Sequence, residues 1–223
     1  LLMNDDGIGA IEIHYIKEIL EELHYDSIYH EHLYYFSIKT IQQFLNKYGL
    51  YVFDVMKSPI SGGSLVLFFS KSKLKKSAKL ENLISYETKN KLNDLETWKS
   101  FAIRSIDHSS KLRKVIDNIK NSKKVYGYGA SARSSTLLNF CKIDNSSISV
   151  IFDQNPLKHG MFTPGTDIEI RNPTPNEINI LDNPTIVILA WNFKNEIITN
   201  LKNMGFKGKV IIPLPNKVKL YEV

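Results

Sequence analysis

Lys124-Val-Tyr-Gly-Tyr-Gly-Ala-Ser-Ala-Arg-Ser-Ser-Thr136 is the stretch that decides the fold. An apolar run enters a pair of glycines, and a hydroxyl-rich segment leaves them toward Leu137 and Cys141. That is a strand, a tight turn and a helix. The glycines allow the turn and let a ligand approach the backbone, while the helix N-terminus offers free N–H groups and a positive dipole end to an anion. Gly127, Tyr128, Gly129, Ala130 and Ser131 are therefore candidate contacts to a substrate, and Arg133 adds a fixed positive charge. Ser134, Ser135 and Thr136 supply further hydroxyls. This is part of a dinucleotide fingerprint, because Ala132 stands where a third glycine could be. A glycine turn that serves only packing is the plainer alternative.

Downstream, the pattern repeats. Ser147–Phe152 reads as a second strand ending at Asp153. Pro184–Trp191 is a third, Glu196–Met204 a helix and Lys209–Pro213 a fourth strand. Alternating strands and helices imply a parallel sheet with right-handed crossovers. Asp153, Asn155, Lys158, His159 and Thr166 fall in loops at the carboxyl ends of strands, where open α/β sheets bind ligands, so a sugar or phosphate contact is expected there. Asp153 also stands where a dehydrogenase places its acid, which keeps an NAD-dependent oxidoreductase open.

Upstream, Leu92–Ile119 carries apolar residues every three to four positions, the mark of one long amphipathic helix or two end to end. His108 reads as a solvated position on it. Residues 71–91 show only a weak helical pattern. Leu50–Met56 and Ser64–Ser70 read as an antiparallel pair joined through Pro59 and Gly62-Gly63. Ser37 is placed to cap a helix over Ile38–Tyr48, and Gly49 to end it. Tyr15–Tyr25 is a helix and Ile8–Ile13 a buried strand. Leu1–Gly7 reads as the last turn of a helix followed by a turn, so an N-terminal part of the protein is expected to be missing.

Between those first elements lies Asp26-Ser-Ile-Tyr-His-Glu-His-Leu-Tyr-Tyr-Phe-Ser37, with two histidines, a glutamate, an aspartate and three tyrosines in twelve residues. An extended segment would send Tyr29 and Glu31 one way and His30 and His32 the other. A helical turn would bring Tyr29 and His32 onto one face. The composition is that of an acid–base site, or of a polar loop whose histidines satisfy nearby backbone.

The composition narrows the choices further. The chain has 223 residues, a net charge of +6 and one cysteine. Cys141 follows an apolar run and reads as a small buried side chain. One cysteine excludes a disulfide framework or thiolate metal cluster within the chain. The His30/His32 spacing with Glu31 between does not make a structural zinc site, so no metal ligand is assigned. The basic runs at Lys71–Lys76 and Lys120–Lys124 lack interleaved aromatics, so nucleic acid is not an expected partner. No run reaches the ~20 apolar residues of a membrane span, and a cytoplasmic location is the default.

Taken together, these motifs closely resemble the sugar C-methyltransferases that act on nucleotide-linked keto-deoxysugars. The matching pieces are Glu12-Ile-His-Tyr15, Tyr29-His-Glu-His-Leu-Tyr-Tyr-Phe-Ser37, Gly62-Gly-Ser64, Gly127-Tyr-Gly-Ala130 with Thr136-Leu-Leu-Asn139, and Asp153-Gln-Asn-Pro-Leu-Lys-His-Gly160 with Pro164-Gly-Thr166. The resemblance implies a zinc-binding domain, then a class I methyltransferase domain holding S-adenosylmethionine, then a Rossmann-like domain. This chain would be the C-terminal half: the end of the methyltransferase sheet over residues 1–72, a helical connector over 73–121 and a Rossmann-like α/β domain over 122–223. Zinc and most of the S-adenosylmethionine site would then lie outside it. By the same resemblance His32 is the general base, Tyr29 the donor to the keto oxygen and Glu31 an orienting or assisting group. His30 and Tyr35 join the glycine turn, Arg133, Asp153, Asn155 and Lys158 as substrate contacts, the substrate being a nucleotide-sugar. His14 stands where the family often has proline, and Ser131, Arg133 and Ser134 depart from its commoner small and lysine residues. A nucleotide-sugar-binding module without its own catalysis is the other reading.

Overall fold

The computed structural model describes residues 3–179, 181 and 183–223, with Ser61 described by its backbone alone. Leu1 and Leu2 of the opening segment lie outside the described residues, and Asp5–Asp6 form a turn. The chain forms two compact units, Leu1–Glu21 with His32–Ala102, and Glu22–Glu31 with Ile103–Val223. Each is described by itself.

The first unit holds a three-stranded antiparallel sheet of β1 (Ile8–His14), β2 (Tyr51–Ser58) and β3 (Ser64–Ser70), in the order β1-β3-β2. The central strand reads Ser-Leu-Val-Leu-Phe-Phe-Ser, and Leu65 and Leu67 are fully buried. They meet Ile13 and Val55 across the register. Helices α1 (Ile16–Glu22), α2 (Ile38–Asn46) and α3 (Ala78–Lys89) accompany the sheet, and Tyr15, Ile38, Ile41, Leu45 and Leu80 complete the core. Ser37 caps α2 in a reciprocal capping box with Thr40. Glu87 reinforces that cap, since its buried carboxylate accepts from Ile38 N at 2.6 Å and from Lys39 N at 3.2 Å. Negative charge at a helix N-terminus satisfies orphan donors and opposes the dipole. Gly49 takes φ +69° and ends the turn after α2.

One expectation fails in this unit. β1 is not a buried strand, because Ile13 alone of its seven residues is buried, while Ile8 is 63% exposed. The physical reason is its place at a sheet edge, paired on one side to β3. Leu50–Met56 and Ser64–Ser70 do form the expected antiparallel pair, as β2 and β3. The weakly patterned basic segment does form a helix, α3, started by the Ser77 side chain accepting from Leu80 N.

The second unit holds a six-stranded sheet in the order β6-β5-β4-β7-β8-β9. β4 (Val125–Tyr128), β5 (Ile151–Phe152), β6 (Ile170–Arg171), β7 (Thr185–Ile188) and β8 (Lys209–Ile212) run parallel, and β9 (Lys219–Glu222) joins β8 antiparallel. Every residue of β7 is buried, as expected of a central parallel strand covered on both faces. Helix α5 (Ala132–Phe140) follows the glycine turn, and α6 (Pro175–Asn179) and α7 (Lys194–Asn203) complete the crossovers. The long stripe forms one helix, α4 (Leu95–Lys120), whose Leu112 and Ile116 are fully buried.

His108 overturns its solvated reading, being only 3% exposed. It stands one and two turns before Leu112 and Ile116 on the buried face. Its Nε2 lies 2.8 Å from the Pro213 carbonyl and its Nδ1 2.9 Å from Tyr25 Oη. A carbonyl can only accept, so Nε2 carries the hydrogen and Nδ1 accepts from Tyr25.

Candidate active site

The motif segment is fixed where it begins. Leu23 takes φ +60° and breaks α1, and Tyr25–Ser27 form a single 3₁₀ turn. All three residues of that turn are buried. Asp26 accepts a two-pronged contact from Arg133, Nε to Oδ2 and Nη2 to Oδ1, both at 2.9 Å. Trp191 Nε1 donates to the same Oδ2 at 2.8 Å. The segment is fixed again where it ends, as Phe36 bridges Tyr15 and accepts from Ile16 N at 3.2 Å. Between those ends the backbone bends and turns at Tyr29–Glu31, and is neither strand nor helix.

Along that stretch, His30, Glu31, Leu33 and Tyr34 are exposed, while Tyr29, His32 and Tyr35 are half-buried. Tyr29 meets His30 edge-on, with centroids 6.0 Å apart. In the first unit the His32 ring lies 4.2 Å from that of His14, and Tyr35 stands edge-on to it at 6.4 Å. An imidazole held by rings on two sides yet open to solvent can exchange protons without losing its orientation.

The second unit gathers most of the predicted substrate contacts around the glycine turn. Asp153, just past β5, accepts from Ala130 N at 2.7 Å and from Asn155 N at 2.9 Å. Lys158 Nζ donates to the Ala130 carbonyl at 2.6 Å and to Asp153 Oδ2 at 3.2 Å. His159 Nε2 donates to the Asp153 carbonyl at 2.8 Å, and Asn155 Oδ1 accepts from Leu157 N. Ser131 and Ser134 form a capping box on α5. These residues bind one another. Gly129 takes φ +94°, and a Cβ there would stand 2.5 Å from the Ala190 Cβ, so the glycine serves a close backbone approach within the protein. Burial pushes the Tyr128 phenol up. Thr166 is buried against the Thr163 hydroxyl.

Arg133 is thus placed differently from the sequence expectation: its guanidinium points to Asp26 and lies 4.8 Å over the Trp191 ring. Sequence reasoning gave no role to Asp26, Trp191 or His24. An aspartate flanked by aromatic and apolar residues is a signal in itself, because a buried carboxylate needs a cation. His14 was visible as a departure at the end of β1, but nothing in the spacing paired it with His32. Among the described residues no group of three or more His, Cys, Asp or Glu side chains could hold a metal ion, and no helix is long and apolar enough to cross a membrane.

Residues 59–215 match the sequence model of a family described as the C-methyltransferase C-terminal domain. Over 218 residues the chain is 30% identical to the C-methyltransferase NovU of Streptomyces niveus. That alignment takes in 96% of this chain and 51% of the relative, so the chain spans about half the length of the curated protein it matches.

Proposed function

The chain belongs to the C-methyltransferase C-terminal domain family, and we propose that it supplies the proton-abstracting apparatus of an S-adenosylmethionine-dependent C-methyltransferase acting on a nucleotide-linked keto-deoxysugar. A carbon beside a ketone becomes nucleophilic only when its proton leaves and the resulting oxyanion is stabilised. His32 takes that proton at a ring nitrogen. The C–H electron pair moves into the new C=C bond, and the carbonyl oxygen gains the charge. The Tyr29 hydroxyl donates a hydrogen bond to it, and Glu31 orients or assists. His30 and Tyr35 contact the sugar beside them. S-adenosylmethionine, when bound, supplies the electrophilic methyl group.

The observation that carries this reading is the His32 imidazole, in ring contact with His14 and Tyr35 and partly exposed. The described residues do not fit a cradle for S-adenosylmethionine. The glycine turn present here is packed against Ala190, and the acid that would meet a ribose already accepts from Ala130 and Lys158. The same engagement of Asp153 removes the support for an NAD-dependent oxidoreductase. The test uses the complete protein with His32→Asn and a keto-deoxysugar nucleotide in deuterated water. Loss of α-proton exchange supports the assignment, and undiminished exchange overturns it.

A further inference from the structure

Asp26 lies three residues before Tyr29 and is bound more tightly than a surface turn requires. It is only 1% exposed, and Arg133 is 12% exposed at the side chain. The guanidinium meets the carboxylate as a planar fork at 2.9 Å on both prongs. Trp191, on the turn after β7, donates to the same carboxylate at 2.8 Å and stacks beneath the guanidinium at 4.8 Å. The His24 ring also packs on Trp191, with centroids 4.8 Å apart. One residue on from His24, Tyr25 is held by His108, and Ser27 Oγ donates back to the His24 carbonyl at 2.6 Å. Four consecutive residues are therefore tied down by specific polar or ring contacts, all within the second unit.

Stability alone does not call for this arrangement. Well-packed apolar side chains of similar volume serve as well as a buried ion pair, or better. What a bidentate pair with a third donor provides is a single orientation. The segment leaving it runs directly to Ile28 and Tyr29. A donor to a developing oxyanion must be held to a fraction of an ångström by the residues behind it.

We infer that Asp26, with Arg133 and Trp191, is a positioning cluster that fixes the backbone leading to Tyr29 and so sets its hydroxyl for the keto oxygen. The cluster touches no substrate itself, and this inference rests on the role proposed for Tyr29. The test is a double-mutant cycle in the complete protein, read as α-proton exchange per folded molecule, with kcat and KM separated. Arg133→Lys keeps the charge and loses the fork. It should lower kcat by up to about 10²-fold, the scale of a misplaced catalytic group, with little change in KM. In a Tyr29→Phe background the same substitution should cost nothing further, because the group it positions is gone. An equal loss in both backgrounds, or no loss in folded Arg133→Lys, overturns the positioning role. Undiminished exchange in Tyr29→Phe alone sinks the role of Tyr29 and this inference together, whereas a loss there with additive Arg133→Lys sinks only the inference. If Arg133→Lys does not fold, Trp191→Phe removes one donor while keeping a ring beneath the guanidinium, and the same cycle applies.

Discussion

The imidazole of His14, the last residue of β1, lies 4.2 Å from the imidazole of His32, tilted by 53°. The strand is fixed by its pairing with β3, so the contact transfers that rigidity to a loop side chain. Removing the ring with His14→Ala should lower α-proton exchange by about three- to tenfold through lost orientation. His14→Phe keeps a ring in place and should restore most of it. Equal loss in both variants would show that the second imidazole acts by its protons and not by contact.

Asp153 should behave as a structural residue. Its carboxylate accepts from Ala130 N, Asn155 N and Lys158 Nζ. Asp153→Ala leaves these donors without it and should lower unfolding stability by about 1–3 kcal/mol. Urea denaturation measures this directly. An unchanged midpoint would return Asp153 to ligand binding.

Glu87 should matter equally to the first unit. Only 3% exposed, it accepts from the two leading N–H groups of α2. Glu87→Ala should cost about 1–3 kcal/mol, because those donors lose their buried acceptor. Glu87→Gln retains one acceptor oxygen and should cost less. Comparable losses for the two would mean that packing, not hydrogen bonding, is what Glu87 supplies.

Burial pushes the His108 imidazole below its ordinary value of 6.5, against the smaller opposing pull of the Pro213 carbonyl. The neutral ring is the folded form. As pH falls below 6.5, the unfolded chain takes up a proton that the folded chain does not. Stability is therefore fully present above that pH and declines beneath it, until the folded ring itself protonates. The decline has a limiting slope of about 1.4 kcal/mol per pH unit. His108→Gln should remove this component, so the difference between wild type and variant should grow smaller as pH falls. A constant difference across pH 5–8 would contradict the assignment.

The sequence exposed the second unit more fully than the first. Buried parallel strands such as β7 are continuous apolar runs, and the glycine turn marks the strand–helix junction by itself. β5 and β6 are two residues each, too short to show any period, and β9 exposes Leu220, Tyr221 and Glu222, so its letters give no burial signal. β1 was misjudged because Ile, Gly and Ala at a sheet edge have the same letters as in a core. Of the site, the residue types in the Tyr29–His32 stretch were plain. The partners of Asp26 beside it were not, because Arg133 and Trp191 lie 107 and 165 residues away and meet it only through the fold. His108 shows the same limit, since one polar letter within an apolar stripe does not announce the acceptor and the donor waiting for it.

β9 has a consequence beyond the site. It covers the open side of β8, whose Val210, Ile211 and Ile212 are all buried. Stripped of that cover, β8 would offer an apolar row of unpaired backbone groups, the template on which one chain recruits another into an aggregate. β9 replaces that row with a short rim carrying Lys219 and Glu222, exposed or nearly so along its length. A four-residue edge with a charged side chain at each end offers a second chain less backbone to pair with than β8 would.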